Sequence, residues 1–446
     1  MTPIPHDQYT VPHYFYPQNE NCQYLNIWAQ SLDRDAKRPV MVWLHGGGFA
    51  TGSGIEHFAY DGENLSRHGD VVVVTLNHRL NVLGFLNLSN CGKEYKNSGN
   101  VGMADIVAAL SWIQDNICAF GGDADNVTVF GQSGGGGKAA ALLQMPTADG
   151  LFHRAIIQSG VTRQFPEYDE AQSVKDAEQI LSYLGITADR IKEIERIPYY
   201  RLAEAVDKLG KGAVMRFGPV ADGDYYLGNA FHVGMSRHAK RVPVIVGSVL
   251  GEFTNNFNYC LDDGKKNEWD MQKRKRLIQE QLGENANEVI RAFQKAYPDK
   301  NIVDLLFIDT VFRTGALEYA ALRVEQGCAC TYNYSFNLEF PLYGGTLPWH
   351  NAEIPYVFHN ADYIEASYIP GVTERLQDIM CDAWVSFAAG GKPEAPGMPE
   401  WEPYTRERPA TMLFDRNIEI IYKRDLELIN LLSPLERKLE PAKRGG

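Results

Sequence analysis

An α/β fold with a mostly parallel central sheet and helices on both faces is predicted by three observations. Apolar, β-type runs recur at residues 40–45, 71–77, 127–131, 154–158, 242–247 and 331–337. Helical stretches separate them, which is how parallel strands are joined, and a sheet joined in this way is buried on both faces. Within this alternation, Val129-Phe130-Gly131-Gln132-Ser133-Gly134-Gly135 carries a strand into a Gly-x-Ser-x-Gly turn. That turn requires glycines where two backbones pass too closely for side chains.

The elements follow in order. Val40-Met41-Val42-Trp43-Leu44 is apolar throughout, as a central strand should be, and opens directly into His45-Gly46-Gly47-Gly48-Phe49. Residues 102–120 place Ile106, Ala109, Leu110, Trp112, Ile113 and Ile117 at helical spacing. Val127-Thr128-Val129-Phe130 is β-branched and aromatic, a buried strand leading to Ser133. Residues 162–240 and 253–325 break the simple alternation. Both are charged and largely helical, with helices expected at 174–184 and 201–209, and both follow strand ends on the side where α/β sites lie. They are read as helical cap insertions in one catalytic domain spanning residues 1–446. A last long helix is expected at 373–389, stopped by Gly390-Gly391-Lys392-Pro393.

Composition excludes several classes. The net charge of −13 argues against nucleic acid and anionic membrane surfaces as partners. Aliphatic runs such as residues 71–74 are far too short to span a bilayer. The seven cysteines, at 22, 91, 118, 260, 328, 330 and 381, are scattered and odd in number, which fits a reducing compartment better than a disulfide framework. Met1-Thr2-Pro3-Ile4-Pro5-His6 has neither a basic nor an apolar signal region, so a cytoplasmic protein is expected; a longer native N-terminus would leave secretion open. Neither an HExxH helix nor paired CxxC motifs occur, so no metal site is expected, and Cys328-Ala329-Cys330 reads as the approach to a strand.

The Gly-x-Ser-x-Gly turn and the upstream HGGG run stand in the order of an α/β-hydrolase: an oxyanion loop, then a nucleophile elbow. In that chemistry the acid and the histidine follow the serine in turn. Counting strands past residues 127–131 places the acid after residues 242–247, at Glu252, and the histidine after residues 331–337, at His350. Asp262 and Asp263 are rivals for the acid, and His359 is the only other histidine beyond residue 252. Ser133 is then the nucleophile, neutral His350 the base that takes its proton, and Glu252 the group that fixes the imidazole and stabilises its cation. Backbone N–H groups of Gly47, Gly48 and Gly134 would receive the oxyanion. The chemistry needs no cofactor. Phe49, Phe217, Phe253 and Trp349 are candidates for an apolar substrate pocket, with ordinary core packing as the alternative.

Four separated segments together resemble the type-B carboxylesterases, the family that includes cholinesterases. They are residues 20–27 (ENCQYLNI), 71–85, 100–137 and 350–358 (HNAEIPYVF). The resemblance implies a serine carboxylester hydrolase acting on a small-molecule ester, and it places Ser159 beside the triad. Gln132 stands where many members carry Glu, which removes a negative charge beside the nucleophile, and Gly134 stands where Ala is usual. Gly136 and Gly137 open the next helix at a cost of about 1 kcal/mol each relative to Ala; close packing or room above the serine would account for it. The ENCQYLNI segment begins earlier in this chain than is usual for the family. The resemblance then implies an unusually open gorge, a free Cys22 thiol, no choline-ester preference, and a sheet edge covered by residues 1–19 or by a second subunit in a homo-oligomer. Two other readings use the same fold: a non-catalytic adhesion or scaffold protein, and an inactive fragment. Retention of Ser133, Glu252 and His350 favours the enzyme.

Overall fold

The computed structural model describes residue 14 and residues 16–253 and 266–435. Nine strands form one sheet: β1 (Leu25–Trp28), β2 (Arg38–Leu44), β3 (Val72–Leu76), β4 (Gly122–Gln132), β5 (Arg154–Gln158), β6 (Val244–Val249), β7 (Thr331–Phe336), β8 (Ala410–Phe414) and β9 (Glu419–Tyr422). Their spatial order is β1-β3-β2-β4-β5-β6-β7-β8-β9. Strands β2 to β8 run parallel, and only the edge strands β1 and β9 are antiparallel. This is the α/β-hydrolase sheet that the sequence predicts.

The period-2 alternation of a strand explains how both faces are filled. Val40, Val42, Val72, Val74, Val127 and Val129 point to one face, where Met103, Ile106, Leu110 and Ile113 cover them. Met41, Trp43, Val73, Phe130 and Ile156 point to the other, against Met380, Trp384 and Phe387. Among the helices are α1 (Glu63–Gly69), α2 (Val101–Asn116), α3 (Gly134–Leu142), α4 (Glu170–Leu184), α5 (Tyr199–Lys208), α6 (Met271–Leu282), α7 (Ala286–Ala296), α8 (Phe312–Glu325), α9 (Ile354–Val357) and α10 (Thr373–Gly390). A smaller core lies under α6 and α7, built on Ile278, Phe293, Leu305 and Phe307.

Differences from the sequence reading concentrate at short elements and ends. β1, β8 and β9 are strands of four or five residues whose apolar content is too brief to announce them. The helix expected over residues 102–120 ends at Asn116. A 3-10 turn, Ile117–Phe120, follows and stops at Gly121, whose φ of 76° closes it. α4 and α5 fall in the first expected insertion, and α6, α7 and α8 in the second. Cys260, Asp262 and Asp263 lie outside the described residues. The other six cysteines are unpaired, Cys22 among them. Among the described residues, no helix is long and apolar enough to cross a membrane.

Candidate active site

Ser133 sits between β4 and α3 with φ 57° and ψ −123°, a backbone conformation that costs a non-glycine residue strain energy. The surroundings hold it there. Its N–H donates to the Gln158 carbonyl at 2.8 Å, and its carbonyl accepts from Gly137 N at 2.9 Å. The glycines around it are demanded by contact. A Cβ on Gly135 would overlap the Leu44 carbonyl at the end of β2, and one on Gly134 would overlap the Gly48 carbonyl. Gly136 lies against Gly160, and Gly137 against the Phe165 ring. Close packing is therefore what offsets the helix-propensity cost of these two glycines.

The acid and the histidine come from the loops after β6 and β7. Glu252 has φ 45° and pairs with Trp349 in an isolated parallel bridge, which sets His350 beside it. Glu252 Oε2 accepts a hydrogen bond from His350 Nδ1. Glu252 Oε1 accepts from Ser159 Oγ at 2.6 Å and from Val249 N at 3.0 Å. The side chains of His350 and Glu252 are 8% and 1% exposed, so water does not compete for this bond. Burial pushes the Glu252 carboxyl well above the usual range and the negative charge of Asp309 adds to this, while the Ser159 and Val249 donors pull it back. The Phe253 and Phe312 rings lie 3.9 and 5.1 Å from the His350 ring, centre to centre.

Gln132 has a role that its sequence position did not suggest. Its side-chain amide donates to the His350 carbonyl, joining the end of β4 to the loop that carries His350. A carboxylate at this position could not donate, so Gln changes the connection as well as the charge.

Gly47 and Gly48 have φ of 83° and 62°. The Gly47 carbonyl accepts from Thr51 N at 3.0 Å, which closes the turn. A Cβ built on Gly134 would lie 2.5 Å from Gly48 N, so these two backbones run side by side next to Ser133. Sequence reasoning missed what lies behind the turn. Lys138 is wholly buried, and its Nζ donates to the His45 carbonyl at 2.8 Å. Burial lowers its amine to about 7. The same burial, with the Lys138 charge, holds His45 and His78 well below the usual histidine range, and their rings stack at 5.2 Å. The available signal was one lysine in the small and apolar run Gly134–Leu142.

The four expected pocket aromatics separate. Phe253 is 40% exposed and touches the His350 ring. Phe49 is fully buried among Phe85, Phe165 and Tyr168. Phe217 is buried in the same core, and Trp349 packs on Phe340 at 4.6 Å. His359 lies apart from Glu252, half-buried, with Nε2 2.7 Å from Asp378 Oδ1. A cavity of about 770 Å³ opens beside the HGGG turn, lined by Tyr14, Glu56, Asn77, His78 and Tyr199 and by none of Ser133, Glu252 and His350.

Comparison with known proteins gives this geometry its relatives. The carboxylesterase family profile matches residues 3–428. A para-nitrobenzyl esterase of Bacillus subtilis is 32% identical over 430 residues, covering 94% of this chain and 84% of the relative. A solved esterase from Clostridium hathewayi, described as able to hydrolyse aliphatic aromatic polyesters, superposes with a TM-score of 0.90 at 42% identity, over 97% of this chain and 86% of that one. A carboxylesterase of Geobacillus stearothermophilus superposes with a TM-score of 0.72 at 33% identity, over 94% and 88% of the two chains. The chain belongs to the carboxylesterase family and is a hydrolase of carboxylic esters.

Proposed function

We propose that Ser133, His350 and Glu252 are the catalytic triad of this esterase, with the N–H groups of Gly47, Gly48 and Gly134 as its oxyanion hole. The observation that carries the reading is the buried Glu252–His350 hydrogen bond, formed at the end of the sheet where Ser133 is held in a strained turn. A serine hydroxyl becomes nucleophilic when a base takes its proton during attack, and an imidazole whose Nδ1–H is held by a carboxylate presents Nε2 for that task. Attack on the ester carbonyl puts a negative charge on its oxygen, and fixed backbone donors stabilise that charge without reorganising. The His350 cation then protonates the leaving alkoxide. Water, deprotonated by the same imidazole, releases the acid from Ser133.

The substrate is a small-molecule carboxylic ester. Phe253 and Phe312 beside the His350 ring supply aromatic surface, and the relatives described as acting on para-nitrobenzyl esters and on aliphatic aromatic polyesters support aromatic esters as the class to test first. Treatment with a fluorophosphonate followed by peptide mapping is expected to place the adduct on Ser133, and Ser133→Ala to abolish both labelling and turnover. A label on another serine in active protein would remove Ser133 from the role.

A further inference from the structure

Nine residues beyond His350, a second group of histidines and carboxylates forms on the surface. His68 lies in the last turn of α1, His359 just past α9, and Asp378 and Asp382 one turn apart on α10. One ligand atom from each of His68, His359 and Asp378 lies within 4.8 Å of the other two. The two imidazoles face each other, centres 4.2 Å apart and planes 26° from parallel. His359 Nε2 is 2.7 Å from Asp378 Oδ1, and His68 Nε2 is 2.8 Å from Asp382 Oδ1. Side-chain exposures run from 21% for His359 to 56% for Asp378, so the group is anchored on one side and open to solvent on the other.

The backbone arrangement behind the group is specific. His359 has φ 60°, a left-handed conformation that glycine adopts freely and a histidine adopts with strain. It is fixed there by Asn64, one turn before His68 on α1, whose side-chain amide donates to the His359 carbonyl at 3.2 Å and to Asn360 Oδ1 at 2.9 Å. Asn360 in turn donates to the Ala59 and Asp61 carbonyls. α1 itself rests on α10, because a Cβ on Gly69 would lie 2.5 Å from Val385. Three segments distant in sequence are thus locked together, and the strained one presents its imidazole to the other two.

We propose that His68, His359 and Asp378 form a binding site for a divalent transition cation of the zinc class, with Asp382 holding the His68 ring and supplying a second negative charge. Two imidazoles and a carboxylate are a donor set suited to such an ion, with solvent completing the tetrahedron on the open side. Ligands around zinc at about 2.0 Å stand roughly 3.3 Å from one another in a tetrahedron, so donor atoms already within 4.8 Å of one another need to approach by at most about 1.5 Å. The ion takes the place of the proton between His359 Nε2 and Asp378, and this proton leaves to solvent on binding. The charges of Asp378 and Asp382 balance the charge of the ion. A carboxylate that orients a ligating imidazole is the usual outer support of such a site. The ion would fasten α1 and α10 to the segment that leaves the His350 loop.

The test uses the full chain, freed of metal, titrated with zinc chloride at neutral pH by calorimetry and followed by thermal unfolding. One equivalent is expected to bind, and bound zinc to raise the melting temperature. His68→Ala and His359→Gly should each weaken binding at least about tenfold, and Asp382→Asn by about tenfold. His359→Gly is chosen because glycine suits φ 60° and keeps the backbone path. His232→Ala, at an exposed histidine elsewhere, should leave binding unchanged. Magnesium, which prefers oxygen ligands, should not compete. Equal zinc affinity in the wild type and in a His68→Ala, His359→Gly double variant would overturn the site, and equal affinity for magnesium would overturn the class of ion.

Discussion

Two histidine–carboxylate pairs stand nine residues apart in this chain, and the difference between them is burial. His350 meets Glu252 where both side chains are under 10% exposed, and the carboxylate has two further donors. His359 meets Asp378 with exposures of 21% and 56% and a second imidazole stacked alongside. In the first pair the carboxylate cannot turn to water, so its charge is available to a cation forming on the imidazole. In the second, water screens the charge and the donor atoms remain reachable from solvent. A histidine paired with a carboxylate therefore suits proton transfer in one place and ligand exchange in the other.

Exchanging the histidines is the strongest way to break this comparison. His350→Ala is expected to lower kcat by several orders of magnitude, leaving the rate that binding and the oxyanion donors alone sustain. His359→Ala should leave kcat within about twofold, since surface changes away from a site seldom matter. The opposite ranking, read from initial rates on a para-nitrophenyl ester, would reverse the two assignments. Next in size, Glu252→Gln keeps the shape of the pair and removes its charge. A loss in kcat of about ten-thousandfold is expected, smaller than for Ser133→Ala. Asp378→Asn makes the same change in the exposed pair and should leave kcat unaltered.

A smaller effect is expected behind the turn of Gly46, Gly47 and Gly48. Lys138 donates to the His45 carbonyl from a fully buried position, with Gly46 between that peptide and the Gly47 amide. Lys138→Met fills the same space without the donor. It should lower kcat by about tenfold with KM unchanged, because oxyanion donors, the role proposed for these amides, act in the transition state more than in the ground state. A rise in KM at constant kcat would instead give Lys138 a role in substrate binding.

The comparison also separates what the sequence disclosed from what it did not. The candidates HGGG, Gly-x-Ser-x-Gly, Glu252 and His350 could be ordered because each lies in the loop that follows a strand long and apolar enough to recognise, although His350 comes fourteen residues after β7, so counting strands located the loops. Lys138 and the Gln132 bond to the His350 carbonyl could not be read, because each depends on a tertiary contact between segments far apart in the chain. The group formed by His68, His359, Asp378 and Asp382 escapes motif reading for the same reason. Its four side chains come from three segments, α1, the turn after α9 and α10, and no local spacing such as HExxH links all of them. Phe49, Phe217 and Trp349 show the converse difficulty: composition marks an aromatic residue near a site, but only packing tells whether it faces the cleft or the core.

Glu353 provides the finest test of burial as the deciding variable. It lies three residues after His350 and is wholly buried, with Oε1 3.3 Å from both Tyr334 Oη and Gln158 Nε2. Its hydrogen-bond partners are a phenol and an amide rather than the imidazole that Glu252 meets. Burial, reinforced by the nearby Glu252, raises its carboxyl to about 8. In the unfolded chain a glutamate titrates near about 4.3. Between those values the folded chain holds a proton that the unfolded chain has lost, so this residue makes stability fall as pH rises through the window. Glutamine is neutral at every pH and removes that contribution. Glu353→Gln is therefore expected to melt close to the wild type near the lower end of the window, and progressively above it as pH approaches about 8. Thermal midpoints of the two proteins, measured side by side across the range, decide the matter. An offset that stays constant with pH would mean that Glu353 is ionised in the folded protein, and that burial alone does not set the state of the carboxyls around His350.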